Sequence, residues 1–92
     1  MIVAQHLSIT GRVQGVGFRA FVTREARSRR LRGWVRNRSD GSVEALVIGE
    51  SDAVAAVIAD CERGPALARV ERVVQATAQD DGTLNFSERA TV

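Results

Sequence analysis

The chain opens with an alternation. In residues 2–13, "IVAQHLSITGRV", Val3, Leu7, Ile9 and Val13 fall on one face and His6, Ser8, Thr10 and Arg12 on the other. A two-residue period predicts a half-buried strand. The period then lengthens: from Phe18 to Arg32, Phe18, Phe21, Val22 and Ala26 recur at helical spacing, and Gly33 can supply a left-handed stop. "GWVRN" and "VEALVIG" read as strands around "RSDGS", an Asp-Gly turn of the hairpin kind. Ser51 is placed to cap a second helix whose apolar stripe is Val54, Val57, Ile58 and Cys61, ended by Gly64-Pro65. "RVERVVQAT" reads as a further strand and, after "QDDGT", "LNFSERA" as a short last one.

The order β-α-β-β-α-β-β, without repeat or linker, predicts an α+β, ferredoxin-like sandwich over residues 1–92: an antiparallel sheet with both helices on one face. The polar face of the first strand suits a sheet solvated on its other side. Composition narrows the class further. Ninety-two residues with 45% hydrophobic content and mixed charge suit one domain rather than a disordered segment. No apolar run approaches the roughly 20 residues of a membrane helix, residues 1–10 lack a signal-peptide pattern, and a single cysteine gives no disulfide framework, so the cytoplasm is expected. All thirteen basic residues are arginine, and the net charge of +2 favours anionic partners.

The candidate chemistry lies in "GRVQGVGFRAFVTREA", residues 11–26, where glycines crowd the start of the first helix with Arg19 at the junction. Gly15-Val16-Gly17-Phe18-Arg19-Ala20 formally matches a dinucleotide fingerprint, but the chain is too short for the doubly wound sheet that gives the fingerprint meaning. A nucleotide-binding P-loop is excluded because no Lys-Ser/Thr pair follows. The shared physics survives: successive backbone N–H groups in a glycine-rich turn, followed by a helix N-terminus, form an anion site, and an arginine fork matches two phosphate oxygens. A tight strand-to-helix turn with a surface arginine accounts for the same residues. A second stretch, "GWVRNRSDGSV", ends its strand on Asn37, which by itself reads as turn chemistry.

Taken together, the two stretches closely resemble the acylphosphatase family. Residues 9–19, "ITGRVQGVGFR", fit the family's first signature at every constrained position, and Gly33-Trp34-Val35-Arg36-Asn37, Gly41, Val43 and Gly49 fit its second. The resemblance implies a βαββαβ fold and hydrolysis of an acyl phosphate to a carboxylate and inorganic phosphate, without metal, cofactor or phosphoenzyme. It also implies that the amides of Gly15, Val16, Gly17 and Phe18 cradle the phosphate, that Arg19 binds it, and that Asn37 holds the nucleophilic water. A small-molecule acyl phosphate, or inorganic phosphate in the loop, is the implied partner of a monomer that binds neither nucleic acid nor membrane. One departure stands at the C-terminus: family members often carry Ile or Val after the Phe of the last strand, whereas this chain has Glu88. That puts in question the register and edge packing of the last strand, not the site.

The chemistry agrees with what the chain lacks. An acyl phosphate leaves as a carboxylate whose conjugate acid has a pKa near ~4, so it departs at neutral pH without a general acid. Positioning and charge stabilisation then suffice, and the sequence offers no evident His–carboxylate pair, metal-spaced cluster or nucleophile. His6 on the polar strand face and Cys61 on the apolar stripe are expected to be structural, as are Trp34 and Phe21. Arg24, Arg27, Arg29, Arg30 and Arg32 read as a solvated face, with Glu25 and Arg29 spaced for an i,i+4 pair. Two rival functions are set aside. "GFRAFV" echoes an RNA-binding motif but straddles a loop and a helix start instead of lying on an exposed strand. A role as one domain of a larger carbamoyl-transfer maturation factor is less expected than a free-standing enzyme.

Overall fold

The computed structural model describes residues 1–92. Strand β1 (Ile2–Arg12) pairs antiparallel with β3 (Val43–Glu50) on one side and with β4 (Arg69–Thr77) on the other; β3 pairs antiparallel with β2 (Arg32–Asn37). The last strand, β5 (Phe86–Glu88), departs from the antiparallel expectation: it runs parallel to β2, giving a mixed sheet of order β4-β1-β3-β2-β5. The physical reason is the long return from β4, which carries the chain across the sheet to the free edge of β2, where a parallel entry is as available as an antiparallel one. The consequence is directional. β1, β2 and β5 all run the same way, so all three end at one margin of the sheet, where Ile9, Val43 and Asn37 share a row.

Helices α1 (Phe18–Ser28) and α2 (Ser51–Arg63) cover one sheet face. Between sheet and helices lies the main core, in which Leu7, Ile9, Val22, Val35, Val47, Val57 and Cys61 are fully buried. The odd-numbered face of β1 is therefore the core face, as the alternation predicts. Burial pushes the Cys61 thiol up to about 12, which suits a small core residue.

Helix α1 ends earlier than the pattern predicts. Arg30 takes the left-handed conformation (φ 58°), and the amides of Arg30 and Leu31 donate to the carbonyls of Arg27 and Ala26 at 3.1 and 2.9 Å. This is a Schellman close with arginine where glycine is usual, and the return of Leu31 to the core beside Ala26 favours it. Gly33 serves a different end. It lies inside β2, and a Cβ there would run into the Leu46 carbonyl. Ser51 is the first residue of α2 and not its cap; Glu50 holds the cap position without a side-chain capping bond. The spacing of Glu25 and Arg29 is not used either: Arg29 reaches across to Asp60 on α2 at 2.8 Å.

The open sheet face is less solvated than the polar alternation implies. The segment between β4 and β5 folds over it, packing Ala78 on Ala4, Trp34, Leu46 and Ile48. Trp34 donates its indole N–H to Asp81 at 3.1 Å, and the guanidinium groups of Arg36 and Arg89 lie over its ring at 4.7 and 5.0 Å. Next to it, Glu44 accepts from His6 Nε2 at 2.6 Å, Arg36 Nε at 2.7 Å and Arg38 Nη2 at 2.7 Å. The chain thus has a His–carboxylate pair that spacing could not reveal, since its members lie on adjacent strands. Burial alone would raise the Glu44 carboxyl; the donors Arg38, His6 and Arg36 outweigh it and hold the group at about 2.

Because Glu44 is more acidic folded than unfolded, its stabilisation is complete above its ordinary value of 4.5 and is lost as pH falls towards about 2. The wild-type chain is therefore expected to lose about 2 kcal/mol more than Glu44→Gln across that window. Urea midpoints measured from pH 6 to pH 2 check this, and parallel curves would contradict it.

Candidate active site

Two left-handed glycines make the turn from β1 into α1. Gly15 and Gly17 have φ of 72° and 78°, which other residues adopt only with strain. A Cβ at either would meet nothing within 4 Å, so the space above the loop is open. Gly17 occupies the cap position of α1 and has no side chain to bond the free helix end. Among the backbone bonds of turns and caps, none is donated by Gly15, Val16, Gly17, Phe18, Arg19 or Ala20; the first N–H of the helix to find an acceptor is that of Phe21, to the Gly17 carbonyl at 3.0 Å. A run of unengaged N–H groups at a helix start carries the positive end of the helix dipole and can receive an anion.

These groups border a cavity of about 140 Å³ lined by Val13, Gly15, Gly17, Phe18, Arg19, Ala20, Asn37 and Glu88. That is well below the ~300 Å³ and upwards typical of drug-sized ligands, and suits a small anionic group. The structure thus brings together Arg19, Asn37 and the loop that the sequence pattern picked out. Val16, expected in the cradle, is not among the residues that line the cavity; its side chain packs against the main core. The Arg19 guanidinium takes part in no ion pair, and the Asn37 amide bonds no protein group, so both are free to meet a ligand.

The sheet margin explains the convergence. The loop follows the end of β1, Asn37 is the last residue of β2, and both strands end on the same side. Gln14 then locks the distance: its Nε2 donates to the carbonyls of Arg38 and Ser42 at 2.8 and 2.9 Å, tying the loop to the β2–β3 turn. That turn is itself closed by Asp40, which accepts from the Ser42 amide at 2.9 Å and its hydroxyl at 2.6 Å. The Thr23 hydroxyl donates to the Arg19 carbonyl at 2.8 Å within α1. Val13 and Phe18, 1% and 2% exposed, anchor the loop at both ends in the core.

Two residues at the cleft were not singled out by the sequence pattern. Gln14 lies within the glycine-rich signature, but its partners are known only once β2 is in place. Glu88 was expected to matter for strand packing alone; it lies in the cleft wall because β5 runs parallel to β2 and ends on the same margin. His6 lies on the opposite sheet face with Glu44, away from the cleft. No group of three or more His, Cys, Asp and Glu residues is placed to hold a metal ion.

Comparison with known proteins agrees with this geometry. The family model described as acylphosphatase matches residues 5–87. An acylphosphatase of Acidiphilium cryptum is 48% identical over 98% of this chain and 99% of its own length. The crystal structure of acylphosphatase from Bacillus subtilis superposes with a TM-score of 0.91 at 37% identity, covering 97% of this chain and 99% of that one. Full-length HypF, crystallised in a phosphate- and nucleotide-bound form, contains a similar region: TM-score 0.91 at 29% identity, over 99% of this chain but 12% of that one. With a matching signature, fold and cleft, the chain belongs to the acylphosphatase family of acyl phosphate hydrolases.

Proposed function

We propose that this chain, as one domain over residues 1–92, hydrolyses acyl phosphates in the cleft between the Gly15–Phe18 loop and Asn37. The observation that carries the reading is the row of unengaged N–H groups from Gly15 to Ala20 beside the cavity that Gly15, Gly17, Phe18, Arg19, Ala20 and Asn37 line. The phosphate oxygens accept from the loop amides, and Arg19 donates to two of them through its planar fork. The Asn37 amide holds a water on the phosphorus. Attack by that water forms the new P–O bond while the bond to the acyl oxygen breaks and its electron pair leaves on the carboxylate. The attacking oxygen keeps one proton of the water and the other moves to a second phosphate oxygen, so a dianionic acyl phosphate gives a carboxylate and dihydrogen phosphate.

The leaving carboxylate needs no proton at neutral pH, with a conjugate acid near ~4. This fits a cleft whose titratable wall residues are one arginine and one carboxylate, with the single histidine elsewhere. The remaining work is positioning and stabilisation of charge on the transferring phosphoryl group, which fixed amides and a guanidinium supply. No helix of the chain is long and apolar enough to cross a membrane. We place the reaction in the cytoplasm, carried out by a monomer on a small-molecule substrate without nucleic acid.

Hydrolysis of acetyl or benzoyl phosphate by the purified chain tests the reading directly. Activity is expected to survive exhaustive chelation, since no donor cluster has ligand geometry; loss on chelation with recovery on adding magnesium contradicts the mechanism.

Substitutions separate the roles. Arg19→Lys keeps the charge and loses the fork, so kcat/KM is expected to fall well over tenfold in a folded protein. Asn37→Ala is expected to lower kcat by ~10²-fold while the inhibition constant of inorganic phosphate barely moves. Unchanged kcat returns Asn37 to the turn, and weakened phosphate binding moves it into the cradle.

Gln14→Glu removes the donor that ties loop to turn. It is expected to weaken phosphate binding and turnover together, by about tenfold in kcat/KM, and kinetics like those of the unaltered chain would show that the tie is dispensable.

A further inference from the structure

Eight residues line the cleft, and only two of them carry a side-chain oxygen able to accept a hydrogen bond: Asn37 and Glu88. The others are apolar residues, glycines and Arg19, whose guanidinium only donates. The sheet puts the two acceptors side by side. In the parallel pairing of β5 with β2, Phe86 stands opposite Gly33 and Glu88 opposite Val35. Phe86 and Val35 are both fully buried in the main core. Glu88, two residues after Phe86, and Asn37, two after Val35, therefore project on that same helix-covered face. With strands about 4.8 Å apart and a rise of about 3.3 Å per residue, their Cβ atoms stand roughly 8 Å apart. The two side chains and one water between them fill that span. Backbone bonds hold the arrangement: the Arg89 amide donates to the Val35 carbonyl at 2.8 Å and the Val92 amide to the Asn37 carbonyl at 3.2 Å. Arg27 Nε donates to the Phe86 carbonyl at 3.0 Å, fixing β5 against α1.

The carboxylate itself is free. Glu88 is exposed and has no part in the ion pairs of the chain. Arg89 lies over the Trp34 ring on the other face, and Arg27 is engaged with the Phe86 carbonyl. An uncompensated negative charge beside a bound phosphate weakens phosphate binding, so the carboxylate has no place in the cradle. It has one beside the nucleophile. A water held at Asn37 for in-line attack lies, with Glu88, on the side of phosphorus away from the leaving acyl group. One proton of that water stays on the attacking oxygen; the other must leave it, and needs an acceptor close by. With the Asn37 N–H holding the water oxygen, Glu88 is the one side chain left in the wall that can accept.

We infer that the Glu88 carboxylate accepts a hydrogen bond from the attacking water, aims its lone pair at phosphorus together with Asn37, and relays its proton. As the water oxygen bonds to phosphorus and the bond to the acyl oxygen breaks, the proton shared with Glu88 moves onto the carboxylate. The resulting acid passes it to a phosphate oxygen, so Glu88 ends as it began and the products are those given above. The inference rests on the acyl phosphate reading and adds a residue to its water side. In a loose transition state the water is only weakly bonded to phosphorus, so the gain is chiefly orientation and falls below the usual range for acid–base catalysis, about tenfold.

The test measures kcat for benzoyl phosphate and the inhibition constant of inorganic phosphate in the wild-type chain, Glu88→Gln, Asn37→Ala and the double variant. The exposed, unpaired side chain makes Glu88→Gln compatible with folding. Two effects of opposite sign are expected from it: kcat falls about tenfold, while phosphate binds about threefold more tightly at low ionic strength and by less in strong salt. Because both residues hold one water, the double variant is expected to turn over about as slowly as Asn37→Ala alone. Unchanged kcat in Glu88→Gln, or kcat and phosphate affinity falling together, overturns the role of Glu88. Losses that multiply in the double variant overturn the shared water. A wild-type chain that does not hydrolyse benzoyl phosphate overturns the acyl phosphate reading, and this inference with it.

Discussion

The site depends on a helix start that is left without protein acceptors. Most helices satisfy part of their N-terminal N–H groups with a Ser, Thr, Asp or Asn cap, and replacing such a cap by one without it costs about 1 kcal/mol. Here the cap position is Gly17 in the left-handed conformation, and the N–H groups from Gly15 to Ala20 find no protein acceptor. The proposed phosphate is an acceptor of suitable shape and charge for these groups. The rest of the structure keeps the loop from relaxing onto itself: Val13 and Phe18 pin its ends in the core, and Gln14 fastens it to the β2–β3 turn.

Charge is divided between the two sheet faces in a way that matches this arrangement. On the open face Glu44 is shared by His6, Arg36 and Arg38, so the one histidine and two of the arginines are committed to structure. Asp60 likewise binds Arg29 and Arg63, and Arg32 binds Asp80. The cleft instead keeps Arg19 and Glu88 unpaired. Desolvating a free guanidinium is costly unless a partner arrives with the ligand, and a phosphate brings one.

Much of this was legible in the residues. The two-residue period of β1 and the helical spacing of Phe18, Phe21, Val22 and Ala26 gave the correct faces, because burial on one side leaves a periodic imprint. Gly15, Gly17, Arg19 and Asn37, singled out because turn geometry and phosphate recognition both demand particular residue types at short spacing, line one cavity. What escaped was set by pairing between distant segments. Neither the parallel entry of β5 nor the meeting of His6 with Glu44 leaves a local signal. The end of α1 was misplaced because Arg30 fills a left-handed position in which glycine is expected, and the pull of Leu31 into the core decides it. Glu88 was judged by its strand alone, and its bearing on the cleft follows only from the direction in which that strand runs.

The central claim is that the backbone from Gly15 to Ala20 is a phosphate receptor. Titrating inorganic phosphate into the isotopically labelled chain, and following every backbone amide by NMR, tests it most directly. The account predicts saturable shifts centred on the N–H groups of Gly15 to Ala20, with the Arg19 side chain and the Asn37 amide moving in step and the Glu44 cluster unmoved. Shifts centred on the arginines of the open sheet face, with the loop amides silent, would contradict it.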